Sequence, residues 1–421
     1  RLPELLSLTI ASGPFPDDNN PTNPFPTVAV KVSNYVVARS DFRSITKDTG
    51  NGRYSFEDLP DLVNLDVSNN YYTGGTLNIV SNKISTVAFD ATGFSIPNIP
   101  NGGSTLTRFS GTYMRNAGTL FNVSGGYKFA NFSALQTPSF QHSSLGGAFP
   151  TFSNIELTTL NLAPTSVSGG TYDGDTSFVI PADTFTNTPL LSSLLIESSN
   201  LLTSPIHPDA FSNLSELTTL SYKSFGRTGG AVPNLGGCPN LNRLILSDNA
   251  FTGNLPSLNS LSNLALAYLN NNQFSGAVPV YKNLANLKRL YIHNNQLDSL
   301  PKFINLPNLE YLYTHNNLIE GTIPSFSECP RLLYIILFNN KFETYTIGSF
   351  STLYRVKYID ISGNELKQQA VDDILSDLLA NYNSVNRRGV TINLRGNAIP
   401  SEKGQEDLEI IRSKGWSVTT S

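Results

Sequence analysis

Charge is scarce in this 421-residue chain. Only 14% of its residues are charged, against roughly 25% in an average soluble domain. The balance is 28 basic to 32 acidic, a net charge of −4. Without a basic run, the chain offers no positive footprint for nucleic acid or an anionic membrane surface. Two Cys and four His leave little for thiol or metal chemistry, and no cofactor or metal ion is expected. No apolar stretch approaches the roughly 18 residues that would mark a spanning helix, so membrane insertion is not expected. The opening RLPELLSLTI lacks the basic n-region, long apolar run and small-residue cleavage site of a signal peptide. It reads as the start of a mature product or of one part of a longer chain. Catalytic motifs are missing as well: there is no G-x-S-x-G elbow, P-loop, G-x-G-x-x-G or H-E-x-x-H. A glycosidase needs a facing carboxylate pair, and Glu310 and Asp360 fall two repeats apart in different columns. No enzyme is expected.

What is present compensates for the missing charge. Hydrophobic residues make up 39% and aromatics 10%, the opposite of a disordered composition. The sequence holds 46 Asn and 31 Gly, which keep the surface polar where charge does not.

From residue 241 the pattern L-x-x-L-x-L-x-x-N-x-φ, with φ apolar, recurs six times. The units open at Leu241, Leu264, Leu287, Leu309, Leu332 and Val356, at spacings of 23, 23, 22, 23 and 24 residues. The asparagines fall at Asn249, Asn272, Asn295, Asn317, Asn340 and Asn364. The L-x-L portion alternates inward and outward as a short strand. The Asn then satisfies backbone groups bared by the turn. Stacking such coils buries a continuous apolar core that no single unit could bury alone. Cys238 and Cys329 share one register four repeats apart, so neighbouring strands about 4.8 Å apart place them roughly 19 Å from each other. A disulfide tolerates about 7 Å between Cα atoms. Both are expected free and inward-facing.

These units resemble leucine-rich repeats, and the tails FTGNLP (251–256), FSGAVP (274–279) and IEGTIP (319–324) resemble the plant-type subclass. The resemblance implies an α/β, β-rich repeat fold. It would be a curved solenoid with a parallel sheet on its concave face, a mostly irregular convex side and a helical C-terminal cap. Plant and animal ectodomains of this family usually carry paired cap cysteines, which this chain lacks.

The frame loosens upstream. Leu217 with Leu220, Leu191 with Leu194, and Leu157 with Leu160 fit it. Phe132 with Leu135, Leu106 with Phe109, and Ile84 with Val87 and Phe89 fit less well; Leu62, Leu65, Val67 and Asn70 fit well again. The expected organisation is an irregular or degenerate segment over 1–61, degenerate repeats over 62–240, regular repeats over 241–366, and a capping repeat with helices over 367–421. Leu5–Ile10 and Val28–Val32 are possible strands of the first segment. In the cap, 368–382 reads as a helix with Val371, Ile374, Leu375 and Leu378 on one face. Ser401 caps a second helix that Gly415 ends. This module resembles the C-terminal part of leucine-rich-repeat proteins from bacteria and bacterial viruses.

In such a solenoid the variable strand positions face outward on the sheet. Early repeats put small residues there: Ser85, Thr86, Ser133, Thr158, Thr159, Thr218, Thr219 and Ser221. From 241 the character changes. One column runs Arg243, Leu266, Arg289, Tyr311, Tyr334, Tyr358, and the next runs Ile245, Tyr268, Tyr291, Tyr313, Ile336. A third holds His293, His315 and Phe338, the two imidazoles about one strand spacing, 5 Å, apart. The aromatic and arginine members of these columns are the candidate ligand-binding residues. Tyrosine and histidine rings suit sugar rings or a protein hot spot, and arginine suits carboxylates. Cross-strand stacking that merely stabilises the sheet is the alternative.

The expected function is non-enzymatic recognition or adhesion at a cell or virion surface, with a protein or glycan as partner. A phage tail-associated or bacterial surface protein is the favoured form. The alternatives are an assembly subunit that associates with its own copies and a plant-type secreted receptor or inhibitor ectodomain. Sequons stand at Asn122, Asn131 and Asn213.

Overall fold

The computed structural model describes residues 206–223, 229–385 and 389–421 throughout, together with short stretches between 7 and 197. By packing, the chain forms two units, Arg1–Leu217 and Thr218–Ser421.

In the first unit, short strands follow one another in parallel. Ser7–Ile10 pairs with Asn64–Asp66, which pairs with Thr86–Ala88. Arg108–Ser110, Thr137–Ser139, Thr159–Leu162 and Ser193–Glu197 continue the series. Before the second rung, Val30–Val32 runs antiparallel to both Ser7–Ile10 and Tyr35–Val37. The two expected strands of segment 1–61 thus exist, and the first is a rung of the sheet. The central residue of each rung points inward, as alternation requires: Leu65, Val87, Phe109, Leu160 and Leu194 are buried. On the turn side, Phe152, Phe185 and Phe211 stack at 6.1 and 6.3 Å. They form an apolar spine parallel to the sheet.

One register differs from the sequence reading. Pro138, not Leu135, pairs with the inward-facing Phe109, so Leu135 takes the first apolar position of its repeat rather than the second. The outward positions there belong to Gln136 and Thr137, and Ser133 lies in the preceding turn. A proline in the inward slot hid the frame, because its ring fills the core while contributing no donor to the ladder. Phe132, Phe89, Val67, Asn70 and the sequons at Asn122 and Asn131 lie outside the described residues.

The second unit repeats the plan with greater regularity. Its sheet runs Thr219–Lys223, Arg243–Ile245, Leu266–Tyr268, Arg289–Tyr291, Tyr311–Tyr313, Tyr334–Ile336, Tyr358–Asp360, Thr391–Asn393 and Ser417–Thr419. Every neighbouring pair is parallel. The opening Leu or Val of each of the six repeats is fully buried, and so are Cys238 and Cys329, neither of them in a disulfide.

The buried asparagines bind two repeats at once. Asn272 donates to the carbonyls of Leu269 and Asn270 in its own turn and of Leu246 in the preceding one. Its Oδ1 accepts from the Phe251 amide, 3.1 Å away. Asn295, Asn317, Asn340, Asn364 and Asn397 repeat that acceptance for Phe274, Leu297, Ile319, Phe342 and Leu366. Buried backbone groups at the turns are thereby paired, which the interior demands.

The G-x-φ-P tails add short strands behind the sheet. Gly229–Gly230, Ala250–Gly253, Gln273–Ala277 and Gln296–Ser299 pair in parallel, as do Glu320–Ile323 and Lys341–Tyr345. Gly253, Gly276 and Gly321 lie at φ +75°, +74° and +82°, a region that favours glycine.

Helix α1 spans Gln368–Val385 and α2 spans Glu402–Ser413. The inward stripe of α1, Val371, Ile374, Leu375 and Leu378, is fully buried. The carboxylate of Asp377 takes the Tyr345 hydroxyl at 2.5 Å and the Gly348 amide at 2.7 Å, tying α1 to the last tail strand. Ser401 caps α2 by accepting from the Gly404 amide, and Gly415, at φ +89°, turns the chain into its final strand. Among the described residues no helix is long and apolar enough to cross a membrane.

Candidate binding surface

The outward columns of the second unit's sheet fall where the sequence places them. Pairing aligns Arg243, Leu266, Arg289, Tyr311, Tyr334 and Tyr358, and beside them Ile245, Tyr268, Tyr291, Tyr313 and Ile336. Because strands are parallel and in register, each side chain meets its counterpart on the next rung at close to the strand spacing.

The rings use that spacing to stack face to face. Tyr268 lies 4.7 Å from Tyr291 with 6° between planes, and Tyr291 lies 4.4 Å from Tyr313 at 7°. Tyr311 and Tyr334 stack at 5.1 Å, and Tyr311 meets Tyr313 edge to face at 6.4 Å. In the third column His293, His315 and Phe338 stack at 4.3 Å each. Tilted contacts of 6.0 to 6.2 Å join the tyrosine and histidine stacks. Arg289 holds the remaining column in place: its guanidinium lies 4.9 Å from the Tyr311 ring centre and donates to the Tyr268 hydroxyl at 3.3 Å. Arg243, exposed, and Tyr358, whose hydroxyl donates to Asp360, take the two ends of the first column.

This geometry decides what a ligand meets. Within a stack the ring faces are covered by neighbouring rings, leaving edges, hydroxyls and ring nitrogens as the contact groups. Half-burial pushes the Tyr291 phenol up to about 12, with Tyr313 and Tyr268 adding to it. Tyr313 and Tyr358 are raised by burial as well. These three hydroxyls are therefore neutral donors and acceptors at any ordinary pH. Arg289 keeps its charge, chiefly through its bond to Tyr268.

The imidazoles are also neutral. Burial lowers His293 to about 4, with His315 beside it adding to the fall, and burial lowers His315 to about 4. The Nδ1 atoms of both are buried without a hydrogen-bond partner. An unmet lone pair costs less than an unmet N–H, so the proton belongs on Nε2 in each. Two parallel N–H donors, one strand apart, result. Among the described residues no group of three His, Cys, Asp or Glu could hold a metal ion.

A neighbouring column escapes a reading based on apolar periodicity. Asp248, Asn271, Asn294, Asn316 and Asn339 all have left-handed backbone, φ +53° to +64°. Each Asn amide donates to the carboxyl or carbonyl oxygen of the previous rung, at 2.6, 2.5, 2.7 and 2.9 Å. The signal was present in the doublets Asn271-Asn272, Asn294-Asn295, Asn316-Asn317 and Asn339-Asn340. Asn is the non-glycine residue that best tolerates this conformation.

Residues 285–327 match the family model for leucine rich repeats in two copies. Among solved structures, the PEPR1–AtPEP1 crystal structure matches with a TM-score of 0.50 at 20% identity. That match covers 86% of this chain and 53% of the other. The fold is that of the leucine-rich repeat. The Arabidopsis receptor kinase HAESA, in its complex with the peptide hormone IDA and the co-receptor SERK1, gives 0.47 at 20% identity, over 83% and 53% of the two chains. A TDR receptor gives 0.49 at 20%, over 86% and 64%. This chain thus spans between about half and two thirds of the length of those proteins. At such identities the likeness speaks for the fold alone. No curated protein sequence matches it.

Proposed function

We propose that the chain is a non-enzymatic recognition module that binds a protein partner through the Tyr/His/Arg face of the second unit. The carrying observation is the contact block itself: Tyr268, Arg289, Tyr291, Tyr311 and Tyr313 touch one another, and the His293–His315–Phe338 stack abuts them. The repeat core is complete beneath it, with Ala267, Leu290, Leu312 and Ile335 fully buried, so the block is an addition to a finished core. Tyrosine and arginine in such a cluster characterise protein hot spots. The covered ring faces argue against sugar stacking, which needs an open face, and favour hydrogen bonds to peptide groups. Support from outside the chain is limited to the structural likeness to PEPR1 in its complex with AtPEP1. Display at a cell or virion surface, for attachment to another surface, is the setting we favour.

Panning a random-peptide display library on the protein tests this reading. Recovered peptides should lose binding to a Tyr268→Ser, Tyr291→Ser, Tyr313→Ser variant, and to a Tyr311→Ser, Tyr334→Ser variant that leaves the middle stack intact. Peptides that bind both folded variants as well as the parent protein would overturn it. A concentration-dependent oligomer in sedimentation, dispersed by the same changes, would assign the face to self-assembly instead.

A further inference from the structure

The margins of this face differ in charge. On the margin that begins each strand, Arg243, Lys288, Arg289 and Lys357 stand against the single carboxylate Glu310. Arg243 and Arg289 share the first outward column. Lys288, Glu310 and Lys357 occupy the position just before it, aligned by backbone bonds from rung to rung. Arg243, Lys288 and Lys357 are exposed. None of the four cations has a carboxylate partner among the described ion pairs, whereas Lys302, Lys367 and Lys403 of the same unit do. The opposite margin carries neutral imidazoles and the amide column, with one carboxylate, Asp248, at one end and one exposed cation, Arg395, at the other. Four cations against one carboxylate on one edge of a sheet, in a chain of net charge −4, form a local field opposite in sign to the molecule. Such a field selects partners by charge and steers their approach.

Resting on the proposed function, we infer that the partner presents an acidic extended segment. Its carboxylates would lie along the Arg243–Lys288–Lys357 margin while its backbone carbonyls or apolar side chains meet the tyrosine edges. Arginine accepts carboxylates in paired hydrogen bonds, and lysine as a point charge. Exposed cations add little to the stability of the free protein, so charge reversal should leave folding intact and act on binding.

A fluorescein-labelled decapeptide of alternating Glu and Leu, and its Gln/Leu counterpart, provide the probes for fluorescence anisotropy. At about 50 mM salt the Glu peptide should bind at least tenfold more tightly than the Gln peptide, and the gap should shrink as salt screens the margin. Combined Lys288→Glu and Lys357→Glu should abolish the gap. Equal binding of the two peptides, or a gap that survives charge reversal, overturns the inference. So does a Glu peptide that fails to bind while a heparin oligosaccharide does, which would assign the margin to a sulfated glycan. The Tyr268→Ser, Tyr291→Ser, Tyr313→Ser variant separates the two claims. If it binds both peptides as the parent does, the proposed face fails. If it loses both equally from a parent without preference, only the acidic partner fails.

Discussion

The imidazoles of His293 and His315 lie parallel, 4.3 Å apart, each with a buried Nδ1 that no hydrogen-bond donor or acceptor reaches. Protonating either would place charge in a half-buried stack and strand a buried N–H. Both are therefore held to about 4, from an ordinary 6.5. Between those values the unfolded chain binds protons that the folded chain refuses. The pair's contribution to stability is whole above about pH 6.5 and is lost progressively as pH falls toward 4. Imidazole Cε1–H resonances followed by NMR should titrate with midpoints near 4; a midpoint near 6.5 for either residue contradicts the stack. Thermal melts should fall in midpoint across pH 6.5 to 4.5. His293→Phe with His315→Phe, which extends the stack of Phe338, should flatten that fall.

The two kinds of asparagine should respond differently to substitution. Asn295→Ala strands the Phe274 amide in a buried site and takes from the Leu269 and Ile292 carbonyls one of their two donors. An unmet buried group costs about 1–3 kcal/mol, so a loss of about 2–3 kcal/mol is expected in urea denaturation. Asn294 is exposed with φ +54°. Asn294→Gly keeps that backbone available and should cost no more than about 1 kcal/mol, mostly through greater freedom of the unfolded chain. Equal losses would mean that the buried ladder is not the stabilising one.

The thiols should be silent. Burial pushes Cys238 and Cys329 up to about 12, and both are fully enclosed. A thiol-reactive dye at pH 8 should label neither in the native protein within minutes and both once it is unfolded. Rapid native labelling of either would place it at the surface.

Gly404, in the first turn of α2, should resist replacement for a reason other than its backbone. An added Cβ would run into Oδ1 of Asp372 on α1 and sit 3.0 Å from the Pro400 ring. That same Oδ1 accepts the Ser401 amide at 2.9 Å. Helix propensity alone favours Gly404→Ala by about 1 kcal/mol. Crowding between the helices should reverse the sign, giving a net loss of about 1–3 kcal/mol. A stabilised variant would show that α1 can withdraw freely.

Much of this was legible because repetition multiplies weak signals. A single L-x-x-L-x-L means little, but six in register fix strand, face and column, and the aromatic columns follow from counting. Ser401 and Gly415 were legible for a local reason, since a cap or an end depends on few neighbours. The slip at Leu135 came from the converse: one proline in an inward slot removed the anchor that would have set the frame. The amide column went unread because its residues are polar and outward, and only their left-handed backbone distinguishes them. Cross-strand stacking of the rings stood in the sequence as one of two readings, and the columns alone did not choose it. It depends on side-chain torsions that the column alone does not specify, and it changed the expected contact from open ring faces to edges and hydroxyls.

The buried asparagines give the array a direction. Each turn's amide is met by a side chain from the repeat that follows, while the asparagines from Asn249 to Asn364 each find two of their acceptors at home. Taking a repeat from the N-terminal side costs its successor one carbonyl among three. Taking one from the C-terminal side strands a buried N–H in its predecessor. The second unit can therefore be lengthened by inserting whole repeats in its middle, where every coil has a successor. The Asn397 module does for the Leu366 coil what each repeat does for the one before it, so it must be kept whenever that coil is.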